Sequence, residues 1–79
     1  MLHLGMELRQ LFAANLRRYR HAKGLTQEEL ADAAEINRTY LSKLETAQTY
    51  AGLEIIGKLA GILEIEPFEL IKPVSKRTR

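Results

Sequence analysis

Leu25-Thr26-Gln27-Glu28-Glu29-Leu30-Ala31-Asp32-Ala33-Ala34-Glu35-Ile36-Asn37-Arg38-Thr39-Tyr40-Leu41-Ser42-Lys43-Leu44-Glu45-Thr46 is the stretch on which the fold turns. It holds two helix starts, one helix length apart. Thr26 with Glu29 forms an S/T-x-x-E capping box, in which the hydroxyl accepts an orphan backbone N–H and the carboxylate reaches back. Asn37 is a second N-cap residue, followed by a run without Gly or Pro. Only Ala34, Glu35 and Ile36 remain for the turn between them. Two short helices joined so tightly must cross steeply, which predicts a helix-turn-helix.

Placed at about 100° per residue, the second helix has two unlike faces. Leu41 and Leu44 fall together, flanked by Tyr40 and Glu45, while Arg38, Thr39, Ser42, Lys43 and Thr46 cover the other side. That outer face carries hydrogen-bonding groups and cations and no acid. Polar residues on a helix ordinarily mean a solvated face. A helix-turn-helix, however, projects its second helix into the DNA major groove, so Arg38, Thr39, Ser42 and Lys43 are the expected base contacts.

The chain resembles the helix-turn-helix family of phage repressors, Cro and the Xre-type bacterial regulators. The matching residues are Gly24-Leu25-Thr26-Gln27-Glu28-Glu29-Leu30-Ala31, then Leu41-Ser42-Lys43-Leu44-Glu45, then Leu53-Glu54-Ile55-Ile56-Gly57-Lys58-Leu59-Ala60. The resemblance extends over roughly 16–71 and implies an all-α, five-helix, repressor-like DNA-binding domain around a central helix-turn-helix. It implies phosphate contacts from Thr26, Gln27, Asn37 and the loop residues Thr49 and Tyr50. It also implies a structural ion pair between Arg20 and Glu45, tying the first helix to the reading helix. There are two departures from the family pattern. Glu35 stands where the turn usually carries Gly, which puts a non-Gly residue at positive φ. Ala47 and Ala51 stand where the loop after the second helix usually has Gly and Pro.

Outward from this motif, 79 residues make one domain, with a core over 6–72 and a basic tail over 73–79. An apolar content of 46% with two Pro argues against disorder. There is no Cys, hence neither a disulfide nor a thiolate metal site. His3 and His21 lack any matching carboxylate or Cys spacing, so no metal is expected. Nothing approaches the roughly 18 apolar residues of a membrane span. Met1 to Gly5, read as a frayed lead-in, is too short for a signal peptide, and a cytoplasmic location is expected. The net charge is only +2, so any DNA affinity must come from where the cations sit.

From Met6 the first helix is predicted to reach Lys23 and stop at Gly24, burying Leu8, Phe12, Leu16 and Tyr19. Leu30, Ala31 and Ala34 turn inward from the second helix. Leu53 to Leu63 reads as a fourth helix with Leu53, Ile56, Leu59, Ala60 and Leu63 buried. Ile55 and Ile62 lie on its reverse, which implies burial on two sides. Ile55 belongs either to the core or to a dimer contact. Pro67 opens a fifth helix, and Phe68, Leu70 and Ile71 are too many large apolar groups for so short a segment to bury in one monomer. With Ile55 they are the expected homodimer interface. Lys76, Arg77 and Arg79 solvate the tail.

These readings predict a sequence-specific transcriptional regulator bound to double-stranded operator DNA as a homodimer on a near-palindromic site. Arg and Lys most often read guanine, so at least one G·C pair per half-site is expected. The Arg38-Thr39-Tyr40-Leu41-Ser42 run also looks like controller proteins of restriction–modification systems. The alternative is the antitoxin of a toxin–antitoxin pair, against which no second, toxin-binding segment is evident. Paired carboxylates, a nucleophile with its base and a Gly-rich phosphate loop are all lacking, so an enzyme is not expected. No cofactor and no small-molecule effector are indicated.

Overall fold

The computed structural model describes the backbone of residues 4–73 and the side chains of residues 8–73. His3 and the tail residues Lys76, Arg77 and Arg79 lie outside the described residues. The elements are α1 (Leu4–Ala22), α2 (Gln27–Ala34), α3 (Arg38–Glu45) and α4 (Leu53–Leu63), followed by a 3-10 turn (Pro67–Leu70). The domain is therefore all-helical among the described residues, with four α-helices rather than five.

The predicted signals set the helix boundaries. Thr26 Oγ1 accepts from the Glu29 N–H at 3.0 Å, and Glu29 Oε1 accepts from the Thr26 N–H at 2.9 Å, which completes the capping box of α2. Asn37 Oδ1 accepts from the N–H groups of Thr39 and Tyr40 at 2.7 and 3.2 Å and starts α3. Between the two helices Glu35 adopts φ 59° and ψ 41°, the left-handed conformation implied by the Gly that the family usually carries there. Gly24 takes φ +75° after α1, where a residue without Cβ is unstrained. Ala47 and Glu64 also sit at φ 60° and 61°.

The core is built from Phe12 and Leu16 of α1, Leu30, Ala31 and Ala34 of α2, Leu41 and Leu44 of α3, Leu59, Ala60 and Leu63 of α4, and Leu70. α1 lies against α3 and the 3-10 turn, while α2 lies against both α3 and α4. The Ala residues of α2 let these helices approach closely. Ile55 and Ile62 are both partly covered against the core, as expected for a helix packed on two sides.

Several expectations are corrected. Leu8 is half-exposed, because it borders an apolar groove of about 200 Å³ that none of the described residues fills. Leu53 is 87% exposed, since the first turn of α4 projects past the core that Leu59, Ala60 and Leu63 reach. Leu70, expected at a dimer interface, is fully buried within the monomer and has no surface to offer a second copy. The fifth helix closes instead through i to i+3 bonds, from Glu69 N–H to the Glu66 carbonyl at 2.9 Å and from Ile71 N–H to the Phe68 carbonyl at 3.1 Å. Pro73 disfavours helix at the preceding residue, and Asn15 holds the chain after the turn. Buried Asn15 donates through Nδ2 to the carbonyls of Leu70 and Lys72 at 3.0 and 2.9 Å. Its Oδ1 accepts from Arg18 Nη2 at 2.9 Å.

Candidate nucleic-acid interface

α3 is held from behind at its C-terminal end. Arg20, a buried residue of α1, donates from Nε and Nη2 to Glu45 Oε2 and Oε1 at 2.6 and 3.0 Å, a bidentate pair. Its Nη1 donates to the Leu25 carbonyl at 2.9 Å, which also fixes the link between α1 and α2. Arg17 adds a hydrogen bond from Nη1 to the Glu45 carbonyl. A guanidinium on an orphan carbonyl at a helix C-terminus is doubly placed, as donor and as charge against the dipole. With Glu45 only 1% exposed, these contacts leave the helix little freedom to rotate.

The opposite face of α3 is open. Arg38, Thr39 and Lys43 are exposed and Ser42 is partly covered. Thr46 Oγ1 turns back to the Ser42 carbonyl at 2.9 Å, so Thr46 caps the helix rather than extending that face. The first turn of α3 contains no acid, and its first residue is Arg38. A cation there opposes the helix dipole, so its position does nothing for the stability of α3.

The residues expected at phosphates fall into two groups. Thr26, Gln27 and Asn37 gather at the N-termini of α2 and α3. The oxygens of Thr26 and Asn37 are committed to their caps, and the Asn37 amide nitrogen remains as a donor. Gln27 is more deeply engaged than its exposed-looking sequence position suggests. Its Nε2 donates to Glu45 Oε1 at 3.0 Å, and its Oε1 accepts from Arg38 Nη1 at 3.3 Å. An amide nitrogen carries two donors, so one N–H of Gln27 is still available.

Thr49 and Tyr50 sit in the loop after α3, beside the apolar groove whose walls include Leu8, Phe12, Ala51, Ile56 and Ile71. Tyr50 is 70% exposed, and its ring lies under the Arg9 guanidinium, 4.6 Å from the ring centre. The Tyr50 carbonyl accepts from Tyr40 Oη at 3.3 Å, and Gln48 Nε2 bonds Thr46 Oγ1 at 2.7 Å. The loop is thus braced despite having Ala at its expected breaker positions. Phe68 and Ile71 are 54% and 42% exposed, away from the core that takes Leu70.

Sequence reasoning missed three parts of this arrangement: the Gln27 bridge, the Arg17 bond to the α3 carbonyl, and the Asn15 clasp. Only the last left a signal, as a polar residue three positions after Phe12 and one before Leu16, within the apolar stripe.

Among the described residues no helix is long and apolar enough to cross a membrane, and no group of His, Asp and Glu is disposed to hold a metal ion. Residues 16–70 match the family model described as Helix-turn-helix. Over 73 residues the chain is 36% identical to a hypothetical transcription factor of Neisseria meningitidis serogroup B, covering 92% of this chain and 69% of that protein. Its fold superposes on the crystal structure of a hypothetical transcription factor from Neisseria with a TM-score of 0.81, at 38% identity over 84% of this chain and 76% of that one. It also superposes on the restriction-modification controller protein C.AhdI from Aeromonas hydrophila with a TM-score of 0.76. The identity there is 44%, over 78% of this chain and 94% of the controller.

Proposed function

The chain belongs to the helix-turn-helix family and is a DNA-binding transcriptional regulator, and from that premise we propose that it reads a near-palindromic operator as a homodimer, with α3 as the reading helix. The observation that carries this is the outer face of α3, where Arg38, Thr39, Ser42 and Lys43 form an acid-free surface on a helix clamped from behind by Arg20 and Arg17. Arg38 and Lys43 would donate to guanine edges, and Thr39 and Ser42 would contact either strand. Thr26, Gln27 and Asn37 would hold the phosphates that flank the groove, with Thr49 and Tyr50 on the adjoining backbone. Exposed Phe68 and Ile71, together with partly covered Ile55, would supply the dimer contact.

The test is a binding selection on randomised duplexes, with wild type and Lys43→Ala. Lys43 lies one turn on from Thr39, in the middle of the outer face. Its loss should relax preference at one or two operator positions by about 1–3 kcal/mol per base pair. If the wild-type preference survives at every position, α3 is not the reading helix.

A second reading, as the controller protein of a restriction–modification system, is favoured by the 44% identity to C.AhdI. It predicts that the gene for a modification methyltransferase lies beside the gene for this chain. Neighbouring genes without one would remove it.

A further inference from the structure

We propose that the apolar groove beside the loop after α3 is an effector site for a small aromatic carboxylate. Its effect on DNA rests on the placement of Thr49 and Tyr50 at operator phosphates, whereas the binding itself does not.

Arg17 and Arg20 donate to Glu45, Arg18 to Asn15 and Arg38 to Gln27. Arg9 is different. It takes part in no ion pair among the described residues, and its Nε is shut off from solvent without an acceptor. Its guanidinium lies over the Tyr50 ring instead, 4.6 Å from the centre. Buried donors are nearly always satisfied, so an exception calls for a reason. The acceptor that matches a guanidinium best is a carboxylate, through two parallel hydrogen bonds.

The same Arg9 helps to line the groove, together with Leu8, Phe12, Tyr50, Ile56 and Ile71, and no acid lines it. A ligand that suits this lining has an apolar body and one negative charge. An apolar cavity of about 150 Å³ admits benzene. The groove, at about 200 Å³, therefore holds one ring and a short acidic substituent. The rings of Phe12 and Tyr50 favour an aromatic body, through edge-to-face or offset contacts. A second copy of the chain suits it less, because the proposed dimer contact of Ile55, Phe68 and Ile71 shares only Ile71 with the groove.

Occupation would be felt at the DNA-facing side. Thr49 and Tyr50 belong to the lining, and the Tyr50 carbonyl accepts from Tyr40 Oη of α3 at 3.3 Å. A carboxylate there neutralises Arg9 and adds negative charge beside a loop placed at phosphates. Operator affinity should therefore fall, and by linkage the operator should weaken ligand binding by the same factor.

The experiment titrates the free protein with benzoate, hexanoate and benzyl alcohol, following methyl resonances, with sodium chloride matched throughout. Benzoate should shift Leu8, Ile56 and Ile71 saturably and leave Leu30, which does not line the groove, in place. Benzyl alcohol, the uncharged analogue, should bind roughly tenfold or more weakly. Arg9→Met, checked for folding by thermal unfolding, should bring benzoate down to that level. No shift at the groove would overturn the proposal, as would equal binding of the acid and the alcohol by wild type. Shifts that follow protein concentration without ligand would assign the groove to a second copy and overturn it too. Tighter binding of hexanoate than of benzoate would refute the aromatic ligand. Benzoate at saturation should weaken binding to the selected operator roughly fivefold or more, and unchanged affinity would overturn the effector role. A protein that binds no operator would fail the proposed function instead, while the methyl shifts still decide the site.

Discussion

Removing one member of the Arg20–Glu45 pair should take away a large share of the domain's stability, whereas removing both should do less harm than the two single losses summed. In Arg20→Met the Glu45 carboxylate keeps only the Gln27 amide as a side-chain partner while remaining 1% exposed. An uncompensated buried charge costs about 3–5 kcal/mol. A domain of 79 residues has a total of about 4–12 kcal/mol, so this one change consumes a large share of it. At about 4–8 °C per kcal/mol for a domain this small, Tm should fall by about 15–30 °C. Glu45→Gln should cost less, about 1–3 kcal/mol, because an acceptor oxygen remains for Arg20. Urea unfolding of Arg20→Met, Glu45→Leu and the double variant closes the cycle. The Leu25 carbonyl loses its Arg20 donor in every variant without Arg20, so that loss cancels from the coupling. A coupling of about 2 kcal/mol or more is expected, and single effects additive within about 0.5 kcal/mol would refute the reasoning.

Three other outcomes follow from geometry already described. Glu35→Gly and Ala47→Gly should each stabilise by about 0.5–1 kcal/mol, because relief of a left-handed Cβ conformation exceeds the added freedom of the unfolded chain, and denaturant midpoints would show it. The Glu64 carboxyl, held below its ordinary range by the hydrogen bond from Lys23 and then by that residue's charge, contributes stability above the unfolded carboxylate pKa and loses it as pH falls through the lowered folded pKa. An NMR titration of Glu64 should return to the ordinary glutamate range in Lys23→Met. Sedimentation at micromolar concentration should show a dimer that Phe68→Ser with Ile71→Ser dissociates, and a wild-type monomer with or without DNA would remove the dimer contact.

How much of this was legible in the sequence depends on how far each signal reaches along the chain. The capping box and the Asn37 cap act over three residues or fewer, so their spacing alone located α2 and α3. The strain at Glu35 was legible through family resemblance, because Glu35 stands where the family's turn usually carries Gly. The Arg20–Glu45 pair came from family resemblance, since 25 positions separate the partners and no periodicity links them. Apolar spacing over-assigned Leu53 and Leu8 to the core because a stripe says which face turns inward and not where the neighbouring helix ends. Leu70 was misplaced for the converse reason, as the pocket that buries it is assembled from distant segments. The Gln27 bridge to Arg38 depends on the crossing of two helices at the scale of a single amide, which no residue pattern encodes.

The Asn15 clasp bears on how the chain is made. Asn15 emerges early in synthesis and its acceptors, the carbonyls of Leu70 and Lys72, emerge 55 and 57 residues later. Until they arrive, that side chain must stay bound to water and the pocket for Leu70 stays empty. A nascent chain can cap α2 and α3 as soon as they appear, because those bonds are local. It cannot seal the core around α1. Closing so long a loop is slow compared with winding a helix, and helices as short as α2 and α3 hold only when packed, so the ribosome-bound chain carries both motif helices on an unfinished support. Chains terminated before Leu70 would share that condition permanently and be open to proteases.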